Sequence, residues 1–167
     1  TLSDELQTMK NATLQLKVMN FDGKVLNSKL VKGEVPANAS VVYCKENYEA
    51  LAKDPRNTFL LMTLKDAKGK VLSEEIYYFN YPKDQELPVT KVSYKVKQMD
   101  GKCEVTLSTK QLARDIFIEI PVQGARFTDN FFDLLPGQTK KIVITSDKIK
   151  KNEPVQLKLR HLKGIIK

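Results

Sequence analysis

Tryptophan is absent from the 167 residues, histidine occurs once and cysteine twice. Each scarcity removes a class of function. With His161 alone, no site built on several histidines can form within the chain, and little remains for a nucleophile–base pair. The lack of tryptophan removes the commonest platform for stacking a sugar ring. Cys44 and Cys103 fall in different halves, so an intradomain bridge of the antibody type is not expected, and both read as structural thiols. No apolar run is long enough to suggest a membrane span. Glycine-rich phosphate loops, Gly-x-Ser-x-Gly elbows and His-Glu-x-x-His helices are also missing. The sequence therefore nominates no catalytic residue, no cofactor-binding residue and no metal ligand. The start, Thr1-Leu2-Ser3-Asp4-Glu5-Leu6, has neither a basic head nor an apolar middle, and no signal peptide is expected there.

Charge is plentiful but unevenly placed. The net charge is +8, and only four of the 28 basic residues are arginine. Residues 1–87 hold 12 basic and 12 acidic side chains, whereas residues 88–167 hold 16 and 8. A polyanion surface would favour arginine for its bidentate phosphate contacts. Here lysines alternate with apolar residues, as at Lys95, Lys97 and Lys158, which reads as a solvated sheet face; nucleic acid is not an expected partner. The cluster Lys148-Ile149-Lys150-Lys151 reads as protection of a sheet edge.

The dominant period is two, which marks β-strands. Residues 1–11 read as a connecting segment. Leu14, Leu16 and Val18 then share one face of a strand over Thr13 to Met19, and Asp22-Gly23 turns it into Val25 to Val31. Further strands are expected over Ser40 to Cys44, over Thr58 to Leu64 (nearly continuous apolar sequence, so covered on both faces) and over Val71 to Asn80. Glu46 to Lys53 is the one place for a short helix. Tyr81 to Pro88, with two prolines and four polar residues, reads as an exposed extended linker open to cleavage at Lys83. Beyond it Val92, Tyr94 and Val96, then Cys103, Val105 and Leu107, then Ile116, Ile118 and Ile120 alternate inward. Val155, Leu157 and Leu159 continue to His161, which would cap the core edge. The expected fold is all-β: two consecutive immunoglobulin-like β-sandwich domains, 1–86 and 87–167, with roughly seven short strands in the second.

The stretch Asp129 to Gln138 organises the second half. Asp129 and Asn130 are turn formers. Phe132 and Leu134 should face inward, Asp133 and Phe131 outward, because burying an unpaired carboxylate is costly. Pro136-Gly137 suits a type II turn into the strand of Ile142 and Ile144.

The run Arg126-Phe127-Thr128-Asp129-Asn130-Phe131-Phe132-Asp133-Leu134-Leu135-Pro136-Gly137 resembles a motif near the C-terminal end of β-mannosidases of glycoside hydrolase family 2. Ile144-Thr145-Ser146 and Leu157 to Leu162 resemble the last strands of the same immunoglobulin-like domain. Val35-Pro36-Ala37-Asn38 and Ile76-Tyr77-Tyr78-Phe79 resemble the β-sandwich domain before it. The resemblance implies a non-catalytic C-terminal accessory region whose partners are the catalytic barrel and other accessory domains of the parent, an enzyme acting on terminal β-mannose residues. It also suggests a periplasmic or secreted parent. Two further readings are a carbohydrate-binding module and a secreted adhesin-like interaction module.

Glycoside hydrolysis requires two carboxyl groups about 5–10 Å apart across a sugar site. Glu104 and Glu119 are expected on outward strand faces, and adjacent Glu74 and Glu75 must face opposite sides. The acid and nucleophile of the resembled enzymes lie in a barrel upstream, so no catalytic residue is carried over. For weak carbohydrate binding, Tyr77, Tyr78, Phe79 and Tyr81 are the available aromatics; Tyr78 is expected to join Ile76 in the core, with Tyr77 and Phe79 packing at the domain junction.

Overall fold

The computed structural model describes residues 6–166. Residues 1–5 of the expected connecting segment lie outside the described residues. Among the described residues the structure is all-β apart from one helical turn and a 3-10 turn, and the chain divides into two compact units. One comprises residues 1–20 and 24–86, the other Phe21–Gly23 together with 87–167.

In the first unit, β1 (Met9–Asn20), β2 (Val25–Val35), β3 (Thr58–Lys65) and β4 (Val71–Tyr78) form one antiparallel sheet in the order β2-β1-β3-β4. β1 begins earlier than periodicity alone suggests. Its first residues pair with β2 through an irregularity between Met9 and Ala12, where Asn11 takes a φ of 57°. β3 is central, and Thr58, Phe59, Leu60, Thr63 and Leu64 are all buried, as its unbroken apolar character requires. Leu16, Val18 and Leu60 pack with Ala52 and Phe79, supported by Leu51 of α1 (Tyr48–Leu51) and by Cys44.

Segment 36–57 thus covers one face of the sheet. Among the described residues it contains an isolated bridge at Ser40 in place of the strand expected over Ser40 to Cys44. Tyr43 is held instead by its hydroxyl, which donates to the Glu34 carbonyl at 2.6 Å. Its ring lies so close to Gly33 that a Cβ there would stand 2.4 Å from the ring edge. Glycine is required at position 33 for that close approach.

The aromatic run of β4 has the opposite phase to the one expected. Tyr77 pairs with Leu60, which puts it on the core side, and Tyr78 pairs with Phe59 on the other side. Phe79 follows the end of the strand and is buried in the core, while Tyr77 stands half exposed with its ring edge-on to Phe79 at 5.4 Å.

The expected free linker is also corrected. Pro82–Asp84 is a 3-10 turn, and Gln85 is buried, donating to the Asn80 carbonyl at 2.8 Å. Arg56 holds the segment three ways. Its carbonyl accepts from Glu86 N–H at 2.9 Å, its Nε donates to the Asp84 carbonyl at 3.3 Å, and its Nη2 meets Glu86 at 3.2 Å.

The second unit is a sandwich of two four-stranded antiparallel layers. One is ordered β5 (Val92–Met99), β6 (Lys102–Thr109), β10 (Thr139–Thr145), β8 (Arg126–Phe127). The other is ordered β12 (Gly164–Ile166), β11 (Lys158–His161), β7 (Ala113–Glu119), β9 (Phe132–Leu134). Val105, Leu107, Ile116, Ile118, Leu134, Ile142, Ile144 and Leu159 fill the space between the layers. Cys103 is buried there too, and burial pushes its thiol pKa up, as suits an inert structural thiol. Cys44 is likewise a free thiol.

Three expectations for this unit change. Tyr94 and Val96 alternate as expected, but β5 ends its layer and leaves them substantially exposed. The β11 strand starts only at Lys158, with Val155 and Leu157 packing on the core from irregular backbone. The lysine cluster is no edge guard. Ile149 is buried, and its carbonyl accepts from Gly101 N–H at 2.8 Å. Gln98 donates to the Glu153 carbonyl at 2.6 Å and accepts from Val155 N–H at 3.0 Å, so this loop is clasped to the β5–β6 hairpin.

Arg56→Ala should therefore loosen segment 82–86. Tryptic cutting at Lys83, slow in the native chain, is expected to accelerate three- to tenfold, the effect of losing about 1 kcal/mol of charged hydrogen bonding. Timed digestion resolved by mass spectrometry checks this; equal rates in both proteins would mean Arg56 does not hold the segment.

Candidate functional site

The stretch singled out in the sequence, Asp129 to Gln138, is where the second unit concentrates its polar chemistry. β9 is only three residues long, yet the layer continues past it because a side chain takes over the pairing. Asn130 Oδ1 accepts from Ile118 N–H at 2.8 Å, and Asn130 Nδ2 donates to the Ile118 carbonyl at 2.9 Å. The amide thus stands in for one peptide of a neighbouring strand. Its Oδ1 also accepts from Phe131 N–H at 3.2 Å.

Phe131 is left with a φ of 58°, the left-handed region that costs a bulky residue roughly 1–2 kcal/mol. Alternation then places Phe132 and Leu134 in the core and Phe131 outside, 69% exposed. The Phe131 ring stacks on Phe117 with centroids 4.6 Å apart and planes inclined at 20°.

Asp133 faces outward as expected, yet it is far from free. Its Oδ1 accepts from Asp115 N–H at 2.9 Å, and its Oδ2 lies 3.7 Å from Arg114 Nε. Asp115 has a φ of 52° at an irregularity in β7, and the carboxylate ties that bulge to β9. Lys140 Nζ sits 2.6 Å from Asp129 Oδ2 and 4.0 Å from the centre of the Phe132 ring, joining β10 to the motif. The Leu135–Gln138 turn closes with Gln138 N–H donating to the Leu135 carbonyl at 3.0 Å, and Gly137 at its third position has a φ of 76°, as a type II turn demands.

The other candidate groups are scattered and engaged. Glu104 lies between Lys102 at 2.6 Å and Lys141 at 3.0 Å. Hydrogen bonds from these two lysines hold its carboxyl pKa down to about 2, so it is a carboxylate at any ordinary pH, unlike the raised group a general acid needs. Glu119 meets Arg160 at 3.3 Å, and Glu74 lies 3.4 Å from the Thr63 hydroxyl. His161 is buried at the core edge and accepts from Lys163 N–H through Nδ1 at 3.4 Å. Burial pushes its pKa below the usual histidine value, so it is neutral at pH 7.

Among the described residues no group of three or more His, Cys, Asp or Glu side chains could hold a metal ion, and no helix is long and apolar enough to cross a membrane. Tyr81 is 77% exposed and Tyr77 is 50% exposed. An open hollow of about 710 Å³ beside Lys10, Thr13, Lys32 and Glu34 has no aromatic ring in its lining.

Alternation alone assigns the direction of Phe131, Phe132 and Leu134. The roles of Asn130, Arg114 and Gln98 depend on partners 12 to 57 positions away in the chain. A polar residue beside a turn former carries no local mark of such a partner.

Comparison with known proteins adds a finding to this geometry. Residues 1–84 match the family model of the mannosidase Ig/CBM-like domain, and residues 87–165 match that of an Ig-fold domain. No curated protein matches the chain. Among solved structures it is similar to a β-D-mannosidase from Dictyoglomus thermophilum, with 24% identity and a TM-score of 0.71 over 96% of this chain and 19% of that one. It is also similar to the exo-chitosanase CsxA from Amycolatopsis orientalis, with 18% identity and a TM-score of 0.65 over 96% of this chain and 23% of that one. The chain thus spans about a fifth to a quarter of the length of the structures it matches.

Deleting the buried Phe132 side chain should cost about 3–5 kcal/mol, and in a small domain each kcal/mol lowers Tm by roughly 4–8 °C. Phe132→Ala should therefore unfold the second unit near ambient temperature. Phe131→Ala should cost no more than about 1 kcal/mol, the worth of one aromatic stack. Calorimetry on both variants decides the phase: the reverse order of losses would contradict it.

Proposed function

Since the chain belongs to the family of mannosidase Ig/CBM-like domains, followed by an Ig-fold domain, we propose that it serves as a non-catalytic accessory region of a β-mannosidase-like glycosidase. The observation that carries this reading is the tandem of the two matches, 1–84 and 87–165, across nearly the whole chain. The domain division at 86/87 belongs to the same reading, supported by the limits of those matches. The parent enzyme hydrolyses terminal β-D-mannose residues with a catalytic barrel that this chain does not contain. The chain's task is to pack against that barrel and the other accessory domains.

The state of the carboxylates supports the assignment. Glu104 is held between Lys102 and Lys141, which favours its charged form and disfavours the proton-carrying acid that glycoside cleavage needs, while Glu119 is engaged by Arg160 and Asp133 by Asp115 N–H. Exposed Tyr77 and Tyr81 favour a second reading for the first unit, weak stacking on a sugar ring. Neither reading includes nucleic acid as a partner, since only four of the 28 basic residues are arginine, the type suited to bidentate phosphate contacts.

The test compares the isolated chain with the longer enzyme that carries it, on an aryl β-mannoside. The longer enzyme should release the aryl group and the isolated chain should release nothing above background. Turnover by the isolated chain that survives repurification and disappears when one carboxylate is mutated would overturn the reading. So would a longer enzyme that leaves β-mannosides intact.

A further inference from the structure

The outer face of the layer β12-β11-β7-β9 carries a feature that the fold of the chain does not need. Phe131 is 69% exposed in a left-handed conformation, where glycine or asparagine would serve the backbone better. It is nevertheless fixed from both sides, by the Asn130 amide anchored on Ile118 and by the Phe117 ring stacked 4.6 Å from it. A strained, over-determined aromatic held out to solvent is the form a preorganised contact takes, since its ordering is complete before a partner arrives.

The surroundings say what kind of partner fits. Arg160, which stands opposite Phe117 in register, is paired with Glu119 at 3.3 Å, and Lys140 is paired with Asp129 at 2.6 Å. Asp133 is occupied by Asp115 N–H and Arg114. A sugar needs polar groups ready to receive its hydroxyls, and here the flanking charges already satisfy one another. An apolar anchor inside a self-neutralised polar rim has the anatomy of a protein–protein contact.

We propose that the Phe131–Phe117 face is the surface on which this chain docks against the remainder of its parent enzyme, inserting the Phe131 ring into an apolar, uncharged pocket of that remainder. The proposal rests on the accessory-region reading above. It commits to this occupant because the same fold, in the Dictyoglomus thermophilum β-mannosidase, is part of a chain of which about four-fifths lies outside the match.

The test places a reporter thiol on the rim, at Arg160→Cys in a Cys44→Ser background, and follows maleimide labelling. Cys103 is buried and should not react. Labelling should be at least tenfold slower in the longer enzyme than in the isolated 167-residue chain, and adding Phe131→Asn should restore the fast rate. Phe131→Asn should leave the melting of the isolated chain unchanged or raise it, since asparagine accepts the left-handed backbone. Equal labelling rates in the two proteins would overturn the proposal, as would protection that survives Phe131→Asn. Slowing of the isolated chain by manno-oligosaccharides would overturn it in favour of a sugar platform. The same preparations report β-mannosidase activity separately. A longer enzyme that protects the reporter but does not cleave β-mannosides would sink the accessory-region reading and leave the docking face standing.

Discussion

The side-chain amide of Asn130 facing the peptide of Ile118 is the constraint that sets the motif's geometry. Ile118 is buried, and its N–H and carbonyl point away from β11, toward an edge where β9 is too short to reach. Left unmet, each would cost about 1–3 kcal/mol. Asn130 meets both at once. Doing so fixes where the chain turns, forces Phe131 into the left-handed region, and sets the phase that sends Phe132 and Leu134 into the core. The left-handed, outward position of residue 131 is thus the geometric consequence of an interior polar requirement, whereas the aromatic side chain placed there is not.

Around that contact the motif is tied to each neighbouring element by a charge. Asp133 reaches β7 through Arg114 and the Asp115 bulge, and Lys140 brings in β10 through Asp129 and the Phe132 ring. Surface ion pairs singly are worth little, and these are valuable for direction more than for energy. They orient short strands that hydrophobic burial alone would leave free to slip in register. The first unit solves a different problem. Much of one face of its sheet is covered by irregular chain, and close packing of Tyr43 on Gly33 replaces strand pairing there.

How much is legible in the sequence depends on the range of the forces involved. Alternation reports burial on a strand. It correctly assigns the inward faces of β1, β6, β7 and β10, the two-sided burial of β3 and the opposed directions of Phe131 and Phe132. It fails where burial depends on a neighbour. Tyr94 and Val96 alternate like core residues but sit on an edge, and Phe79 is buried because the chain leaves β4 just before it. The prolines of segment 81–88 suggest a free linker because Arg56, which holds it, lies some 30 positions earlier. Local pattern nominates no catalytic, cofactor or metal residue, and the carboxylates that could have served are clasped by cations or backbone. The family resemblance is carried by the Arg126–Gly137 run together with shorter stretches in both halves, such as Val35–Asn38 and Ile76–Phe79, and the tandem family matches bear it out.

The central claim is that one asparagine substitutes for a strand. Asn130→Asp tests it most directly, because the carboxylate still accepts from Ile118 N–H and Phe131 N–H but loses the donor to the Ile118 carbonyl and places negative charge against it. Unfolding in denaturant at pH 7 should show a loss of about 2–4 kcal/mol, the scale of an unmet buried carbonyl facing a charge. Protonation restores the donor, so the folded-state pKa of the new carboxyl is raised above about 3.9. The deficit relative to the native protein should accordingly shrink as pH falls through that raised value, whereas Asn130→Ala should show a deficit that does not change with pH. If Asn130→Asp stays within about 0.5 kcal/mol of the native protein at pH 7, or its deficit is as flat with pH as that of Asn130→Ala, the amide is not the element that completes the layer.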